Sequence, residues 1–247
     1  MAPTRSGSIN RHESLVVSET LYNAPLLAGL SPDEALEVAK RATRKEWKAG
    51  AWVYRQGEPA TQFYMLESGR IKVLQVGTRG AETVMRFNAP GQVFGDAALL
   101  KRSAYDSSAR AASPSRTLSW STETVWELMR GYPRLVENVM QIFLAQLAHL
   151  QDRCLNLAGE TVERRLARSL SQLALSIGKK SGRVTMIGDG FSAKDLADLS
   201  GTTIYTVSRV LGEWERRGLI NKGRGWVAIL DSDGLLQEAA KSKDQPS

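Results

Sequence analysis

The chain has few of the residues that most often hold metals, form disulfides or carry protons. Its 247 residues include one cysteine, Cys154, and two histidines, His12 and His149. A single cysteine excludes an intrachain disulfide, a four-cysteine zinc site and a four-cysteine iron–sulfur cluster. Neither histidine has a serine, cysteine or carboxylate partner placed to form a catalytic set. We therefore expect no metal site and no histidine-based catalysis.

Short motifs that mark common enzymes are also absent. The sequence contains no GxxxxGK[ST] phosphate loop, no HExxH zinc helix and no GxSxG nucleophile elbow. One GxGxxA match, from Gly223 to Ala228, lacks the strand–turn–helix context that a dinucleotide-binding site requires. These absences predict a protein that is not an enzyme.

No apolar run approaches the roughly 18 residues that a membrane span needs, because charged or amide side chains interrupt each candidate. The N-terminus is basic but has no apolar signal segment, so we interpret residues 1–20 as a mobile leader on a cytoplasmic protein with no membrane partner. Lys and Arg outnumber Asp and Glu by 33 to 26, which gives a formal charge of +7. This excess suits a polyanionic partner such as nucleic acid.

In the first half of the chain the sequence pattern changes from one typical of helix to one typical of short β-strands. Residues 18–45 resemble helix, and Ser31-Pro32-Asp33-Glu34 has the N-cap, first-turn proline and acidic residues of a helix start. From Trp47 to about Thr122, glycine turns separate short apolar runs, as in a compact antiparallel roll. We predict a β-roll domain over residues 21–132.

A long helix is predicted next, from about Thr122 or Pro133 to Ala158, with its dimerisation part over residues 133–158. Apolar residues repeat there with the a/d spacing of a coiled coil. One reading is a helix packed on its own domain, and the heptad repeat favours a seam between two copies instead. The predicted seam residues are Val136, Met140, Phe143, Leu147, Leu150, Cys154 and Leu157. We interpret Cys154 first as a packed thiol, and as a redox switch only second.

The last third of the chain predicts a helix-turn-helix with a wing. Ser192-Ala193-Lys194-Asp195 has the pattern of a capping box and opens a short helix through Leu199. A turn at Ser200-Gly201-Thr202 leads to a second helix from Thr203 to Arg217. Two short segments around the Gly223-Arg224-Gly225 turn then predict a two-stranded wing with basic residues at its tip. We assign residues 159–236 to this domain and 237–247 to a tail.

Both halves resemble one family, the Crp/Fnr superfamily of bacterial transcription regulators, over about residues 21–236. The matching stretches of the β domain are residues 55–60, 63–73 and 90–96, and those of the second domain are Asp195-Leu196-Ala197, Gly201, Thr206-Val207-Ser208-Arg209 and residues 215–220. The resemblance implies an α+β protein with a sensory β-roll, a dimerisation helix and a winged helix-turn-helix. It also implies a homodimer on near-palindromic double-stranded DNA, with RNA polymerase as a further partner.

The family's cyclic-nucleotide cassette is altered in this chain. Cyclic-nucleotide-binding members have Gly-Glu followed about nine residues later by Arg-Ser, where Glu meets the ribose and Arg meets the cyclic phosphate. Here Gly95-Asp96 shortens the acid, and Tyr105-Asp106 stands at the Arg-Ser positions, so a carboxylate would repel the phosphate. The resemblance thus implies a degenerate effector pocket, with an effector other than cAMP or with none. Its residues are Gly95, Asp96, Tyr105, Asp106, Ser107 and Arg110.

Other sensing modes and other effectors remain as alternatives. The cysteine set of iron–sulfur members is missing, which excludes that cofactor. Haem-binding members need axial ligands, and His149 keeps a haem-dependent gas sensor open as one alternative. A second alternative is a cyclic-nucleotide-binding module that controls something other than DNA.

The second helix of the predicted helix-turn-helix would place four residues at base edges, namely Ile204, Tyr205, Ser208 and Arg209. We predict that Arg209 donates two hydrogen bonds to guanine O6 and N7. The family often has Glu where this chain has Tyr205, so its half-site should differ. The predicted phosphate contacts are Lys194, Thr202, Thr203, Thr206, Lys222 and Arg224.

Overall fold

The computed structural model describes residues 23–77, 80–100, 102–188 and 190–240, including their side chains except those of residues 156–158. The predicted leader, residues 1–20, and residues 241–247 of the predicted tail lie outside this description. The α+β class, the N-terminal β-roll, the long helix and the C-terminal helix-turn-helix domain are confirmed.

The N-terminal part begins with a 3-10 turn at Pro25–Leu27 and helix α1 at Pro32–Lys40. As predicted, Ser31 caps α1, and the structure adds a full capping box with Glu34. Eight strands and a second 3-10 turn, Asp96–Ala98, follow. The strands are β1 Thr43–Trp47, β2 Trp52–Tyr54, β3 Gln62–Ser68, β4 Ile71–Val76, β5 Glu82–Asn88, β6 Val93–Phe94, β7 Ser108–Ala111 and β8 Ser115–Ser121.

These strands form two antiparallel four-stranded sheets, ordered β1-β8-β3-β6 and β2-β7-β4-β5. Alternation along β3 separates two cores, because neighbouring side chains of a strand point to opposite faces. Tyr64 and Leu66 belong to the core inside the roll. Phe63 and Met65 belong to the core that packs against the helices. The roll therefore has an interior of its own, separate from the helical layer.

Strand β1 corrects the predicted helix over residues 18–45. Thr43–Trp47 pairs antiparallel with Ser115–Ser119 of β8, and its first four residues are exposed. An edge strand exposed on both faces shows no apolar alternation in its sequence, so only its long-range pairing reveals it.

The long helical segment is two helices, α2 at Thr122–Gly131 and α3 at Pro133–Gly159. The break occurs at Tyr132, which has φ −128° and ψ 83° because a residue before proline avoids helical geometry. One face of α3 packs on the β-roll through Leu135 and Val139, which are buried. There the Asn138 side chain donates to the carbonyls of Leu26 and Ala28.

The C-terminal part carries four helices and a four-stranded antiparallel sheet ordered β11-β12-β10-β9. Its last helix packs on the first and buries Leu235 and Glu238, so the predicted boundary at residue 236 falls within a helix. The elements are α4 Val162–Ile177, β9 Lys179–Ser181, β10 Val184–Ile187, α5 Ala193–Ser200, α6 Ile204–Arg216, β11 Ile220–Gly223, β12 Trp226–Ile229 and α7 Ser232–Ala240.

The β-roll and the C-terminal domain share one core. Val84 and Phe87 of β5, with Ala89 just after it, belong to the same buried cluster as the helices of the C-terminal domain, and the Phe87 and Phe191 rings lie 6.3 Å apart. Beside this contact, Lys72 of β4 forms a buried ion pair with Asp195 of α5, with 2.7 Å between Nζ and Oδ2. The β4–β5 hairpin therefore fixes α5 against the β-roll.

Candidate nucleic-acid interface and ligand pocket

Helices α5 and α6 form a helix-turn-helix. Local interactions set where α5 begins, where it ends and where α6 begins. Ser192 and Asp195 form the predicted capping box at the start of α5. Gly201 ends α5 with φ +62°, a left-handed conformation that favours glycine. Thr203 then caps α6, and its side chain accepts a hydrogen bond from Thr206 N. The turn between the two helices is thus set by three short-range signals.

Helix α6 has one buried and one exposed face. The buried residues Val207, Val210, Leu211 and Trp214 anchor the helix in the shared core, as predicted. The four residues predicted to contact bases lie on the exposed face near the N-terminus of the helix: Ile204, Tyr205, Ser208 and Arg209. Tyr205 is 82% exposed. The structure thus brings these four side chains together on an accessible surface.

Arg209 has a partner outside its own helix. Its Nη2 lies 2.9 Å from Oε1 of Glu163, in the first turn of α4, and both side chains are partly exposed. A guanidinium held by an exposed carboxylate can exchange it for another acceptor at little cost. The pair therefore orients Arg209 without burying it.

The predicted phosphate contacts fall into three places. Thr202, Thr203 and Thr206 lie at the N-terminus of α6, where backbone N–H groups and the helix dipole favour anions. Lys194 instead faces the β-roll, where its Nζ donates to the Glu82 carbonyl at 2.7 Å and to Asp198 at 2.8 Å. Lys194 thus joins the two domains in this arrangement.

Lys222 and Arg224 lie on the predicted wing, which strands β11 and β12 form. The Lys222 ammonium is 3.5 Å from the Ser208 carbonyl and 3.9 Å from a Glu215 oxygen. Arg224, in the turn, is exposed and has no hydrogen bond or ion pair within the described part of the chain. Of the two, Arg224 is the more available cation.

Sequence reasoning missed Arg165, which braces the turn of the helix-turn-helix. Its Nε donates to the Ser200 carbonyl at 2.9 Å, and its Nη1 donates to the Glu160 carbonyl at 2.8 Å. The first contact ties α4 to the end of α5, and the second is local to the start of α4. Nothing in the sequence marks this arginine, because its partners are backbone carbonyls as far as 36 residues away.

Four aromatic side chains fill the interior of the β-roll: Tyr54, Tyr64, Phe94 and Tyr105. Tyr54 and Tyr105 stack with ring centroids 3.8 Å apart, and Tyr64 and Phe94 stack at 5.1 Å. The Tyr105 hydroxyl donates to the Gln62 carbonyl and accepts from Gln62 N. Burial raises the pKa of Tyr54, Tyr64 and Tyr105, so all three phenols are neutral.

Four of the six residues of the predicted effector pocket lie around the aromatic stack. Tyr105 is part of the aromatic stack, and Ser107 lies beside the Tyr54 phenol. Gly95 has φ +77°, and a Cβ there would lie 2.9 Å from the Tyr64 ring. The charge of Asp96 helps to raise the pKa of Tyr54, so Asp96 lies near the same stack, and it also lines a cleft beside α3.

The remaining two, Asp106 and Arg110, lie on the surface of the roll. Asp106 is exposed and lies 3.7 Å from Arg102. Arg110 stacks over Trp52 at 4.9 Å and lies 3.5 Å from Glu82. Neither charge reaches the interior.

A stripe of large apolar side chains runs along the free face of α3. Five of the predicted seam residues lie on it, namely Val136, Met140, Leu147, Leu150 and Cys154. Leu144, which the heptad assignment left out, is 63% exposed on its flank. Phe143 is half-buried against the chain's own core, and the side chain of Leu157 lies outside the description. One face of the helix thus packs on its own domain, the stripe on the other face is exposed, and the seam between two copies stays a prediction.

His149 is exposed on α3. Among the described residues, no group of three or more His, Cys, Asp or Glu side chains could hold a metal ion. Within the same ranges, no helix is long and apolar enough to cross a bilayer.

Residues 44–132 match the cyclic nucleotide-binding domain family, and residues 164–238 match the Crp-like helix-turn-helix domain family. The chain is similar to the cyclic AMP receptor protein of Thermus thermophilus, with 27% identity over 89% of this chain and 98% of that protein. It is 24% identical to a CRP-like cAMP-activated global transcriptional regulator of Mycobacterium tuberculosis, over 90% of this chain and all of that protein. A solved CRP-family transcriptional regulator from Thermus thermophilus superposes with a TM-score of 0.68 and 25% identity, over 80% of this chain and 97% of that one.

Proposed function

We propose, since this chain belongs to the Crp/Fnr superfamily of transcription regulators, that it binds a near-palindromic DNA site as a homodimer and uses no cAMP. The observation that carries the proposal is the outward face of α6. There Ile204, Tyr205, Ser208 and Arg209 are exposed at the end of the helix that would enter the major groove. Threonines at the same helix end would meet the flanking phosphates.

Base readout would centre on Arg209. A guanidinium can donate two hydrogen bonds to guanine O6 and N7, and Arg209 would leave Glu163 to do so. Ile204 and Tyr205 offer apolar surface that suits a thymine methyl group. Lys222, Arg224 and the threonines at the start of α6 would fix the register through phosphates.

Homodimerisation would bury the apolar stripe on α3. Exposed Met140, Leu147 and Leu150 on one helix face are unusual for a monomer and typical of a seam between two copies. Two recognition helices related by a two-fold axis would read inverted half-sites about one helical turn apart.

The two relatives named above carry cAMP in their names, and the residues of this chain argue against that ligand. The aromatic stack that includes Tyr105 occupies the interior of the roll, and the exposed Asp106 stands where the family's cassette has its phosphate-binding residues. A ligand phosphate there would meet stacked rings and the carboxylate of Asp106. The effector, if there is one, is therefore a different molecule.

A regulator of this kind works where the bacterial DNA is, so we place it in the cytoplasm, with RNA polymerase as its partner. No catalytic role is proposed, because the family is one of transcription regulators.

Selection of bound sequences from a randomised duplex library tests the proposal. We expect the wild-type chain to select two inverted half-sites, and to select them equally with and without millimolar cAMP. Arg209→Ala should lose about 1–3 kcal/mol per half-site and relax the preference at one base pair, while non-specific DNA binds nearly as before. Arg130→Ala, a change at an exposed arginine on α2, serves as the matched control.

Three outcomes would contradict the proposal. A single selected half-site would argue against the dimer, and a motif that appears only with cAMP would argue against a cAMP-independent regulator. An unchanged motif with Arg209→Ala would mean that another surface reads the bases.

A further inference from the structure

The C-terminal domain is held on the β-roll by polar contacts as well as by the shared core. Two of these contacts start from one strand, because Arg70 directly precedes β4 and Lys72 is the second residue of β4. Side chains two positions apart along a strand point to the same face of the sheet. Both residues are buried, with 7% and 9% of their surface exposed. Strand β4 therefore presents two buried cations to the C-terminal domain.

Each of the two cations holds the end of a different helix. Arg70 Nη2 donates to the carbonyl of Ile177, the last residue of α4, at 2.9 Å. Lys72 Nζ lies 2.7 Å from Asp195 Oδ2, which also accepts from the Ser192 N–H in the capping box of α5. The C-terminus of a helix carries a partial negative charge and the Asp195 carboxylate a full one, so both contacts pair opposite charges. The strand thus fixes the positions of both helix ends.

Helix α5 makes two further polar contacts, and both reach strand β5. Lys194 Nζ donates to the Glu82 carbonyl at 2.7 Å, and the Val84 N–H donates to Asp198 Oδ2 at 3.1 Å. Strand β5 is an edge strand of the described sheet, so α5 uses backbone groups that an edge leaves open. These four polar contacts accompany the apolar core that the two domains share.

The polar contacts differ from the apolar ones because they have direction. Apolar burial is non-directional, so a shared core alone would tolerate small rotations of one domain on the other. A buried ion pair adds little net stability, because desolvation offsets the attraction, and its best-attested use is to specify one register. A rotated domain would leave the Lys72 ammonium buried without its carboxylate. We therefore expect the pair to select one orientation of the C-terminal domain.

The position of α5 determines the position of the recognition helix. The turn between α5 and α6 covers residues 201–203, and Arg165 of α4 holds the end of α5 through the Ser200 carbonyl. On the other side, the β-roll packs on α3 through Leu135 and Val139. The path of contacts from α3 to α6 therefore passes through β4, in addition to the covalent link between α3 and α4.

We infer that Arg70 and Lys72 are positioning residues that set the distance between the two recognition helices of the proposed dimer, and with it the half-site spacing that the dimer accepts. This deepens the proposed function and rests on it. In a dimer joined along α3, the β-roll of each copy would place its recognition helix relative to the two-fold axis. Half-site spacing mirrors that distance, because the two helices must enter grooves about one helical turn apart.

Operators with altered spacers test the inference in the full-length protein. The selected inverted repeat is rebuilt with a spacer that is one or two base pairs shorter or longer, and fluorescence anisotropy at fixed salt measures each affinity. A change of one base pair should weaken wild-type binding about tenfold, within the range of one mismatched base pair. Arg70→Met and Lys72→Met should each reduce this loss to less than about threefold, because a domain that is free to rotate can follow a shifted half-site. Binding to a duplex with one half-site should stay within about twofold of wild type, since the contacts to bases are unchanged.

Two further variants test the ion pair itself. Lys72→Arg keeps a cation beside Asp195 and should retain the spacing preference of the wild type. Asp195→Asn keeps an acceptor for Ser192 but removes the charge, so it should broaden the preference as Lys72→Met does. The double variant should broaden it no further, because both changes remove one interaction. Lys48→Met and Arg130→Met, at exposed cations, are the matched controls.

A loss of stability elsewhere should not change the spacing preference. Tyr105→Phe removes the hydroxyl that bonds Gln62 inside the β-roll, far from the junction in the sequence of contacts, and should keep the wild-type preference. Circular dichroism confirms the fold of each variant. Two results would overturn the inference: a wild-type preference retained by folded Arg70→Met and Lys72→Met chains, or an equal broadening in Tyr105→Phe.

Hydrogen exchange in the DNA-free protein separates this inference from the proposed function. Peptides that contain Val84 should exchange about tenfold faster in Lys72→Met than in the wild type, because α5 no longer holds β5 in one position. Unchanged exchange would overturn the positioning role. Faster exchange in a chain that selects no inverted half-sites would contradict the proposed function and still support the role of Lys72 in holding α5 on the roll.

Discussion

The interior of the β-roll and the outward face of α6 are the two places where this family resemblance implies a ligand, and they are built in opposite ways. In the roll, Tyr105 is buried, stacked on Tyr54 and hydrogen-bonded to Gln62. On α6, Tyr205 is 82% exposed and Arg209 is held only by an exposed ion pair. A ligand could enter the roll only by displacing packed rings, whereas DNA could meet α6 without repacking a core. The difference teaches that the tyrosine in the roll serves packing, whereas the residues on α6 are free to meet a partner.

The largest expected effect separates the two tyrosines. Tyr105→Ala should destabilise the protein by about 3–5 kcal/mol, because it leaves a cavity in the aromatic stack and removes both bonds to Gln62. Tyr205→Ala should change stability by less than about 0.5 kcal/mol and weaken DNA binding. Urea unfolding measures the free energy of unfolding of both variants. Similar losses of stability in the two would show that the roll interior is not the tightly packed region.

The second prediction concerns the junction of the two regions. Lys72→Met should cost about 2–3 kcal/mol, less than the usual loss for breaking a buried pair, because Ser192 still donates to the Asp195 carboxylate. Since β5 and the C-terminal helices share a core, unfolding should remain a single transition. Lys48→Met, at an exposed lysine, is the control. Two separate transitions in the wild type would mean that the regions are stabilised independently.

A smaller effect is expected at the wing. Arg224→Ala should weaken binding to all DNA sequences alike and reduce the slope of log K against log salt by about 1. Lys222→Ala should reduce it less, since the Lys222 ammonium already lies near Ser208 and Glu215. Titrations at several salt concentrations measure both slopes, and a sequence-dependent loss would assign base readout to the wing.

The smallest effect tests how freely Arg209 is held. Glu163→Gln removes its partner, so affinity for the selected operator should rise by no more than about fivefold per half-site, the value of an exposed ion pair. Glu213→Gln makes the same charge change beside Arg217 and corrects for general electrostatics. Fluorescence anisotropy on one operator compares them, and a large loss of affinity would mean that Glu163 positions Arg209 for the base.

Sequence reasoning succeeded where the signal is local. The capping box at Ser192 and Asp195, the stop at Gly201 and the inward face of α6 each depend on residues a few positions apart, and all three are confirmed. The β-roll followed from glycine spacing and short apolar runs. Such features depend on neighbouring residues in the chain and not on contacts with distant segments.

Sequence reasoning failed where the partner is distant in the chain. Tyr105 meets Tyr54 across 51 positions, and Lys194 meets Glu82 across 112, so neither contact leaves a local pattern. The same holds for β1, whose polar residues Thr43–Glu46 form a strand because β8 pairs with them. Arg86 and Arg153 also carry no local signal, because their contacts depend on the fold that places β5 against α3.

The core that β5 shares with the C-terminal domain also limits how this chain can be cut and recombined. A fragment that starts after α3 would keep its helix-turn-helix but lose Val84, Phe87 and Ala89, and would expose the apolar surface that they cover. The Asp195 carboxylate would lose Lys72 in the same cut. A chimera that grafts the DNA reader onto another sensor must therefore carry the β4–β5 hairpin with it, so the transferable unit is discontinuous in sequence.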